Sequence, residues 1–381
     1  MARRALITAC VLGLVFAAGL CLWERFGSPG LWLADQLAWA RFLEPDDGAV
    51  LQANGSGMQR VEVLGAAGLA VREVAVCADA VAPLQEGDRP TSEWENVPVE
   101  RGRFRTTLLM APGANRLAIQ GKWWKHVFAN SARVMLGDVF IVAGQSNAVG
   151  LAPSFSTTVS PVVRSARLGR DGVLRWRIGD DPQSANGKGS PWPIAGTLFN
   201  NLTGRPVGFI NIAENGSSIR DWLPGGQFFQ RLVDVLEATK PNYVRAILWA
   251  QGEADFRMSA DEYARCLRAI IAAANERVTA GRQVPWVVAI SSFVNGSAVE
   301  EIRKAQMEVV GAGSALLGPD TDRLGHEFRQ PDLVHLSDAG MQQAASLWAE
   351  ALNDHFGASP APQRNAIDEG IGTNQSNEHQ H

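Results

Sequence analysis

The feature that most constrains the fold is an apolar run that ends in a serine between polar residues. Residues 137–143 read Gly-Asp-Val-Phe-Ile-Val-Ala, and residues 144–147 read Gly-Gln-Ser-Asn. A run rich in β-branched and aromatic residues that stops at a glycine predicts a buried strand followed by a sharp turn. Because open α/β folds place their ligands at the carboxyl ends of their strands, we expect Ser146 to present its hydroxyl at such an edge.

The pattern after residue 137 predicts alternating strands and helices. Strand-like runs occur at residues 139–143, 207–212, 244–250 and 285–291. Between and after them lie helix signals, such as the capping box Ser259-x-x-Glu262 and the N-cap candidate Ser337 before an amphipathic segment. Strands and helices in alternation predict a parallel sheet with helices on both faces.

The region before residue 137 has a different pattern. Phe104, Thr106, Leu108 and Met110 form a period-two set, and turn pairs such as Pro112-Gly113 separate the runs. This pattern predicts short antiparallel strands and a small β-sandwich. The predicted organisation is therefore a transmembrane anchor or signal (1–25), a linker or short helix (26–49), a small β-sandwich (50–136), an α/β domain (137–357) and a disordered tail (358–381).

The N-terminus carries a targeting signal. Arg3 and Arg4 precede a mostly apolar stretch at residues 5–23, which is about the length of a transmembrane helix. We expect an uncleaved anchor, with a cleaved signal as the alternative, and the arginines would keep the near end inside the cell. The rest of the chain would then lie outside the cytoplasm, in the periplasm or at the cell surface. A formal net charge of −4 without a basic stripe gives no indication of nucleic-acid binding.

Ser146 needs a base and an orienting acid to act as a nucleophile. The motif Asp332-x-x-His335 supplies both from one short turn, with the carboxylate in reach of one ring nitrogen while the other faces the serine. Among the other histidines only His326 is a rival, and no acid stands three residues before it. The pattern therefore predicts Ser146, His335 and Asp332 as nucleophile, base and acid.

An oxyanion hole needs fixed hydrogen-bond donors. The backbone N–H of Ser146 is one candidate, and Gly216 is another because glycine lets the backbone approach a ligand closely. The side-chain amide of Gln251, at the end of the third strand-like run, is a third candidate. Gly216 is equally consistent with a plain turn, and Gln251 and Glu253 are consistent with a buried polar network that holds loops.

Three blocks in this order resemble a known family. Gly-Gln-Ser-Asn at 144–147, Trp-x-Gln-Gly-Glu-x-Asp at 249–255 and Asp-x-x-His at 332–335 are similar to the sialate O-acetylesterase-like branch of the SGNH hydrolases, which includes acetylxylan esterases. The resemblance covers about residues 137–356. It implies a three-layer, flavodoxin-like α/β fold and the removal of acetyl groups from sugar hydroxyls without a metal or other cofactor. The preceding β domain resembles the accessory sandwich of some members.

The resemblance also implies a role for each residue that matches a motif position. Ser146 would be the nucleophile, His335 the base and Asp332 the acid, with Gly216 and Gln251 completing the oxyanion hole beside the Ser146 N–H. Glu253 stays as the alternative acid, because the glutamate of its block has been considered for that role in some relatives. Relatives often have Met where this chain has Ala148, which leaves the substrate open.

The sequence thus predicts a membrane-anchored carbohydrate O-acetylesterase that acts on an acetylated carbohydrate. Arg220 and Trp222 either contact sugar hydroxyls and a ring face or pack their own loop. A lipid or aryl esterase of the same superfamily would use the same residues, and preference for long acyl chains would favour it. A glycan-binding surface protein would keep a vestigial site and bind acetylated glycan without releasing acetate.

Overall fold

A computed structural model describes residues 37–357 of the chain, except residues 56, 82–92, 124–125, 159 and 279–282. Its N-terminal part is a β-sandwich. The strands are β1 (Ala40–Glu44), β2 (Ala49–Gln52), β3 (Gln59–Ala67), β4 (Glu73–Ala80), β5 (Glu95–Pro98), β6 (Arg103–Met110), β7 (Gly113–Trp123) and β8 (His126–Gly144). They form a three-stranded antiparallel sheet in the order β1-β3-β6 and a second layer in the order β5-β4-β7-β8-β2.

The core of the sandwich lies between these two layers and follows the period-two pattern of the sequence. Along β6, exposed and buried residues alternate, and Phe104 and Leu108 are buried. Val63 from β3 and Leu117 from β7 are completely buried in the same cluster. Burial of such side chains stabilises the sandwich by roughly 1.5–3 kcal/mol each.

The first strand differs from the sequence expectation. A linker or short helix is predicted at residues 26–49, but Ala40–Glu44 forms β1 and pairs antiparallel with β3. The ring of Phe42 lies edge-on to that of Phe104, with the two centroids 6.3 Å apart. This packing against the sandwich favours a strand, because tertiary contacts override local helix propensity.

Three sequence predictions fall on residues that the structure does not describe. They are the anchor or signal at residues 1–25, the start of the linker at residues 26–36 and the tail at residues 358–381. Within the described part of the chain, every helix is too short or too polar to cross a membrane.

Strand β8 belongs to both parts of the molecule. Residues 126–136 pair with β7 in the sandwich, whereas residues 138–144 pair with strands of the second part. Gly137 lies at the crossing, where a Cβ atom would come within 2.1 Å of the Pro206 carbonyl oxygen. The two parts therefore meet inside one continuous strand, with no linker between them.

The second part combines a mainly parallel sheet with helices. Its further strands are β9 (Val163–Leu168), β10 (Leu174–Ile178), β11 (Val207–Asn211), β12 (Ala246–Ala250), β13 (Trp286–Ile290) and β14 (Leu316–Asp320). Its helices are α1 (Ser146–Val149), α2 (Trp192–Thr203), α3 (Gln227–Ala238), α4 (Ala260–Asn275), α5 (Glu300–Gly311) and α6 (Asp338–Phe356). The sheet runs β10-β9-β11-β8-β12-β13-β14, and only the β9–β10 pair is antiparallel among these described strands. The predicted α/β class is confirmed, and the order β11-β8-β12-β13-β14 is the 2-1-3-4-5 order of flavodoxin-like sheets.

Helices cover both faces of this sheet. Val139 and Ile141 of β8 pack with α3, α4 and α5, whereas Phe140 and Val142 pack with α2 and α6. Successive side chains of a strand point to opposite faces, so β8 is buried on both sides in a three-layer arrangement. Its carboxyl end lies where the strand order reverses, which is the position at which open α/β sheets bind ligands.

Candidate active site

The nucleophile candidate Ser146 follows directly after β8. The strand ends at Gly144, which has a φ of +131°. A Cβ atom at this position would lie 2.0 Å from the Ala250 carbonyl oxygen of β12, so the turn requires glycine. Ser146 is the first residue of α1 and is 2% exposed. Its hydroxyl makes no hydrogen bond to any residue that the structure describes, so it is free to meet a substrate.

Asp332 and His335, the predicted acid and base, are in direct contact. The Nδ1 atom of His335 lies 2.6 Å from Oδ2 of Asp332. Oδ1 of Asp332 accepts the N–H groups of Val334 and His335, each at 2.9 Å. Partial burial raises the pKa of the Asp332 carboxyl, but these hydrogen bonds outweigh it and hold the pKa below its usual range. An ionised carboxylate here fixes the orientation of the imidazole and leaves Nε2 to accept a proton.

Asn147 joins the nucleophile segment to the segment that carries the histidine. Its Nδ2 atom donates to the Val334 carbonyl oxygen at 3.3 Å, and its Oδ1 atom accepts the Leu336 N–H at 3.1 Å. Because Val334 and Leu336 flank His335, Asn147 brings the histidine close to Ser146. No local pattern points to this role, since the partners lie 187 and 189 residues away along the chain. The only signal was its place beside the motif serine.

Glu253, the alternative acid, contacts the side chain of Asn147 and not that of His335. Its Oε1 atom accepts hydrogen bonds from Asn147 Nδ2 at 2.8 Å and from Ser291 Oγ at 3.1 Å. Glu253 is 3% exposed, and this burial raises the pKa of its carboxyl. The structure thus places Asp332, and not Glu253, against His335.

Gln251, a candidate oxyanion donor, is the centre of a buried hydrogen-bond network. Its Nε2 atom donates to Asp255 Oδ2 at 2.6 Å. The same atom lies 3.1 Å from Gln145 Oε1 and 3.2 Å from the Ser217 carbonyl oxygen. Its Oε1 atom accepts the Tyr263 hydroxyl at 2.8 Å. A primary amide has two N–H bonds, and these protein acceptors engage both of them. The contacts agree with the loop-holding alternative for Gln251.

Gly216 has the properties of a backbone donor. It is exposed and has a φ of +68°. The N–H groups of Gly216 and Ser146 donate to no residue in the described part of the chain. The loop of Gly216 is held at the end of β8, because Glu214 N–H and Ser217 Oγ both donate to the Gly144 carbonyl oxygen, at 3.0 and 3.3 Å. Two unpaired N–H groups therefore lie on segments that meet at the end of β8.

Trp222 is buried in the loop that follows β11. Its side chain is completely buried, packs edge-on against Trp249 and donates from Nε1 to Ser217 Oγ at 3.0 Å. It therefore cannot present a ring face to a sugar, and these contacts agree with the alternative that Trp222 packs its own loop. Arg220 is exposed and forms an ion pair of 2.5 Å with Glu262 at the start of α4. A contact between Arg220 and substrate stays a prediction.

The arrangement has the groups that acyl transfer uses: a free hydroxyl, an imidazole oriented by a carboxylate, and unpaired N–H groups at the same sheet edge. Across residues 37–357, with the gaps given above, no group of His, Cys, Asp or Glu side chains is placed to hold a metal ion.

Comparisons with known proteins identify a family and a similar fold. A family model described as carbohydrate esterase, sialic acid-specific acetylesterase, matches residues 136–354. A probable carbohydrate esterase from Arabidopsis thaliana is 24% identical over 245 residues, which cover 57% of this chain and 91% of that protein. The crystal structure of a carbohydrate acetylesterase from Xanthomonas citri is similar with a TM-score of 0.53 and 16% sequence identity, over 81% of this chain and 73% of that one. At this identity the likeness to the crystal structure concerns the fold.

Proposed function

Because the chain belongs to the sialic acid-specific acetylesterase family of carbohydrate esterases, we propose that it hydrolyses acetyl esters of sugar hydroxyls with Ser146 as its nucleophile. The observation that carries this proposal is the 2.6 Å contact between Asp332 and His335, on a segment that Asn147 fastens beside Ser146. The family match supports the esterase activity, and this geometry supports the serine mechanism.

In the proposed reaction, Ser146 Oγ attacks the acetyl carbonyl carbon while His335 Nε2 takes the hydroxyl proton. The negative charge that develops on the carbonyl oxygen is stabilised by the N–H groups of Ser146 and Gly216. His335 then protonates the sugar oxygen, the C–O bond breaks, and an acetyl group remains on Ser146. A water molecule that gives its proton to His335 attacks this ester, and acetate leaves. Asp332 stabilises the imidazolium in both steps.

We assign Gln251 a supporting role in this mechanism rather than that of a third donor. Its amide hydrogens are engaged by Asp255, Gln145 and Ser217, which lie in three segments around the site. Gln251 would therefore keep the ends of β8, β11 and β12 in register, and its loss would act through the position of the Ser146 turn.

The experiment that tests the proposal is acetate release by the full chain from a panel of O-acetylated sugars and polysaccharides. We expect Ser146→Ala to lower turnover by about 10³-fold or more, because the nucleophile is removed. Ser346→Ala is the matched control, since this hydroxyl lies on the exposed face of α6 and bonds only to Gln342 within the described chain. A folded Ser146→Ala protein with full activity would overturn the mechanism.

Two further measurements separate the alternative functions. 4-Nitrophenyl esters of acetate, butyrate and octanoate measure the preference for acyl length. A preference for octanoate would favour a lipid esterase, and binding of acetylated glycan without acetate release would favour a glycan-binding protein.

A further inference from the structure

The predicted base His335 is carried by a small hairpin at residues 329–336. Its ends are joined by a bridge between Arg329 and Leu336, and the Gln330 N–H donates to the His335 carbonyl oxygen at 2.7 Å. At the tip, Leu333 has a φ of +56°. A leucine in this left-handed region costs about 1–2 kcal/mol, so surrounding contacts must hold the hairpin in this shape.

Arg329 makes an unusual set of contacts at the base of this hairpin. It is 7% exposed, and each of its guanidinium nitrogens donates to a backbone carbonyl oxygen. Nη1 donates to Val334 at 2.8 Å, Nη2 to Thr321 at 2.8 Å and Nε to Leu324 at 3.0 Å. The guanidinium also lies over the ring of Phe293, 4.6 Å from its centroid. One side chain thus connects the hairpin to the segments that follow β13 and β14.

The charge of Arg329 has no direct ion-pair partner among the described residues. Burial lowers the pKa of the Arg329 guanidinium, and the nearby carboxylates of Glu253, Asp322 and Asp332 offset only part of this effect. Burying a guanidinium costs several kcal/mol unless its hydrogen bonds are made. A methionine would fill the same space without a charge, but it would leave the Leu324 carbonyl oxygen without a hydrogen bond. It would also remove one of the two hydrogen bonds that each of the Val334 and Thr321 carbonyl oxygens accepts. The contacts therefore favour a role in geometry over a role in packing.

The Val334 carbonyl oxygen connects Arg329 to the segment that carries the nucleophile. It accepts from Arg329 Nη1 at 2.8 Å and from Asn147 Nδ2 at 3.3 Å. Val334 directly precedes His335, and Asn147 directly follows Ser146. The peptide group next to the base is therefore held from both sides, by the nucleophile segment and by the arginine.

We propose that Arg329 is a positioning residue for catalysis: by holding the Val334 carbonyl group, it fixes the backbone from which His335 reaches Ser146. This inference rests on the proposed function. Without the guanidinium, the Val334 carbonyl oxygen would keep only the 3.3 Å hydrogen bond from Asn147, and the strained tip at Leu333 could relax. The imidazole would then lose alignment with Ser146 Oγ, and a misplacement of about 1 Å can cost about 10²-fold in rate.

The test compares Arg329→Met and Arg329→Lys in the full-length protein. Initial rates are measured with 4-nitrophenyl acetate and an acetylated sugar, at a temperature where all variants remain folded. We expect Arg329→Met to lower kcat about 10–100-fold with KM changed less than twofold, because the ester-binding groups stay in place. Arg329→Lys should recover part of the loss, since its ammonium can still donate to one of the carbonyl oxygens.

The matched control is Arg205→Met, which lies near the amino ends of the parallel strands, at the end of the sheet opposite the site. Arg205 also lies against an aromatic ring and donates to a backbone carbonyl, that of Phe356, and it pairs with Asp138. We expect this variant to lower the melting temperature without lowering kcat. An equal loss of kcat in Arg205→Met would reduce Arg329 to a purely structural residue and overturn the proposal.

A double-mutant cycle with Asn147→Ala completes the test. Both residues are inferred to act on the Val334 carbonyl group, so Arg329→Met should cost at least threefold less in the Asn147→Ala background. If Arg329→Met does not fold, the comparison rests on Arg329→Lys, for which we expect a loss of kcat that the cycle also reduces. Unchanged kcat in the folded Arg329 variants overturns this inference, while Ser146→Ala reports separately on the proposed function.

Discussion

At the residue scale, the two carboxylates near the site have different surroundings and therefore different expected roles. Asp332 contacts the imidazole of His335 directly, whereas Glu253 accepts from Asn147 and Ser291. Asp332 determines which ring nitrogen carries the proton. Glu253 affects the histidine only through Asn147 and the backbone that Asn147 holds.

We expect Asp332→Asn to lower kcat/KM about 10³–10⁴-fold, because an amide no longer stabilises the imidazolium and can favour the wrong tautomer. Glu253→Gln should cost less than about tenfold, because its amide oxygen can still accept from Asn147. Steady-state kinetics with 4-nitrophenyl acetate distinguish the two, and circular dichroism checks that both variants fold. A larger loss in Glu253→Gln than in Asp332→Asn would make Glu253 the acid.

The sequence identifies residues whose chemistry is visible in a motif and misses those whose role depends on distant contacts. Ser146, Asp332 and His335 are recognisable because the hydroxyl, acid and base stand in short patterns. Asn147 acts through backbone groups 187 and 189 residues away, and Arg329 through carbonyl groups of its own hairpin and of the segment after β14, which no motif reveals. For Trp222 the sequence left substrate contact and loop packing both open, because an aromatic residue in a polar loop gives no indication of whether the loop folds over it.

At the element scale, the turn between β8 and α1 is the most restricted piece of backbone in the site. Gly144 combines a positive φ with a close approach to β12, so two independent costs oppose any side chain there. The glycine-flanked motif could be read from the sequence as a sharp turn. The contact with Ala250 could not, because it arises only when two strands 106 residues apart pair in the sheet.

We expect Gly144→Ala to lower the free energy of unfolding by at least about 2 kcal/mol, through backbone strain and the clash of Cβ with the Ala250 carbonyl oxygen. The matched control is Gly113→Ala in the sandwich, which has a φ of +100° but open space at the Cβ position. Its cost should be only about 1 kcal/mol, from the positive φ alone. Urea unfolding of both variants measures the difference, and equal losses would show that the clash is relieved by movement of β12.

Long periodic elements were the most predictable part of the fold. The runs at 139–143, 207–212, 244–250 and 285–291 all contain strands, because buried parallel strands are apolar on both faces. The caps at Ser259 and Ser337 accept hydrogen bonds from the first turns of α4 and α6. β1 was missed because its pairing with β3 and its contact with Phe104 are not local.

At the scale of the whole molecule, the sandwich and the α/β part share β8 and are expected to unfold together. β2 of the sandwich pairs with β8, and the side chain of Gln52 accepts the Val139 N–H at 3.0 Å. Val50 belongs to the same core cluster as Val139 and Ile141. Destabilising the sandwich should therefore destabilise the site that lies at the far end of β8.

We expect Leu117→Ala, deep in the sandwich core, to cost about 2–5 kcal/mol and to lower the melting temperature of the whole protein. Calorimetry should show a single transition, and esterase activity should be lost at the same temperature as the secondary structure. Leu69→Ala is the control, because the side chain of Leu69 is 77% exposed and its loss should change stability little. Two separate transitions, with activity surviving the first, would show that the two parts are independent.

Because β8 is continuous, its pairing in the sandwich also determines which of its side chains face each side of the α/β sheet. Side chains along a strand alternate with a period of two, so a shift of one residue would exchange the faces of Val139 and Phe140 throughout the second part. Pairing of residues 126–136 with β7 already fixes this phase on the sandwich side of Gly137. The pairing of β8 in the sandwich thus fixes the register of the strand that precedes Ser146. We expect this register to set the position of Ser146 at the edge of the sheet and the face on which it lies.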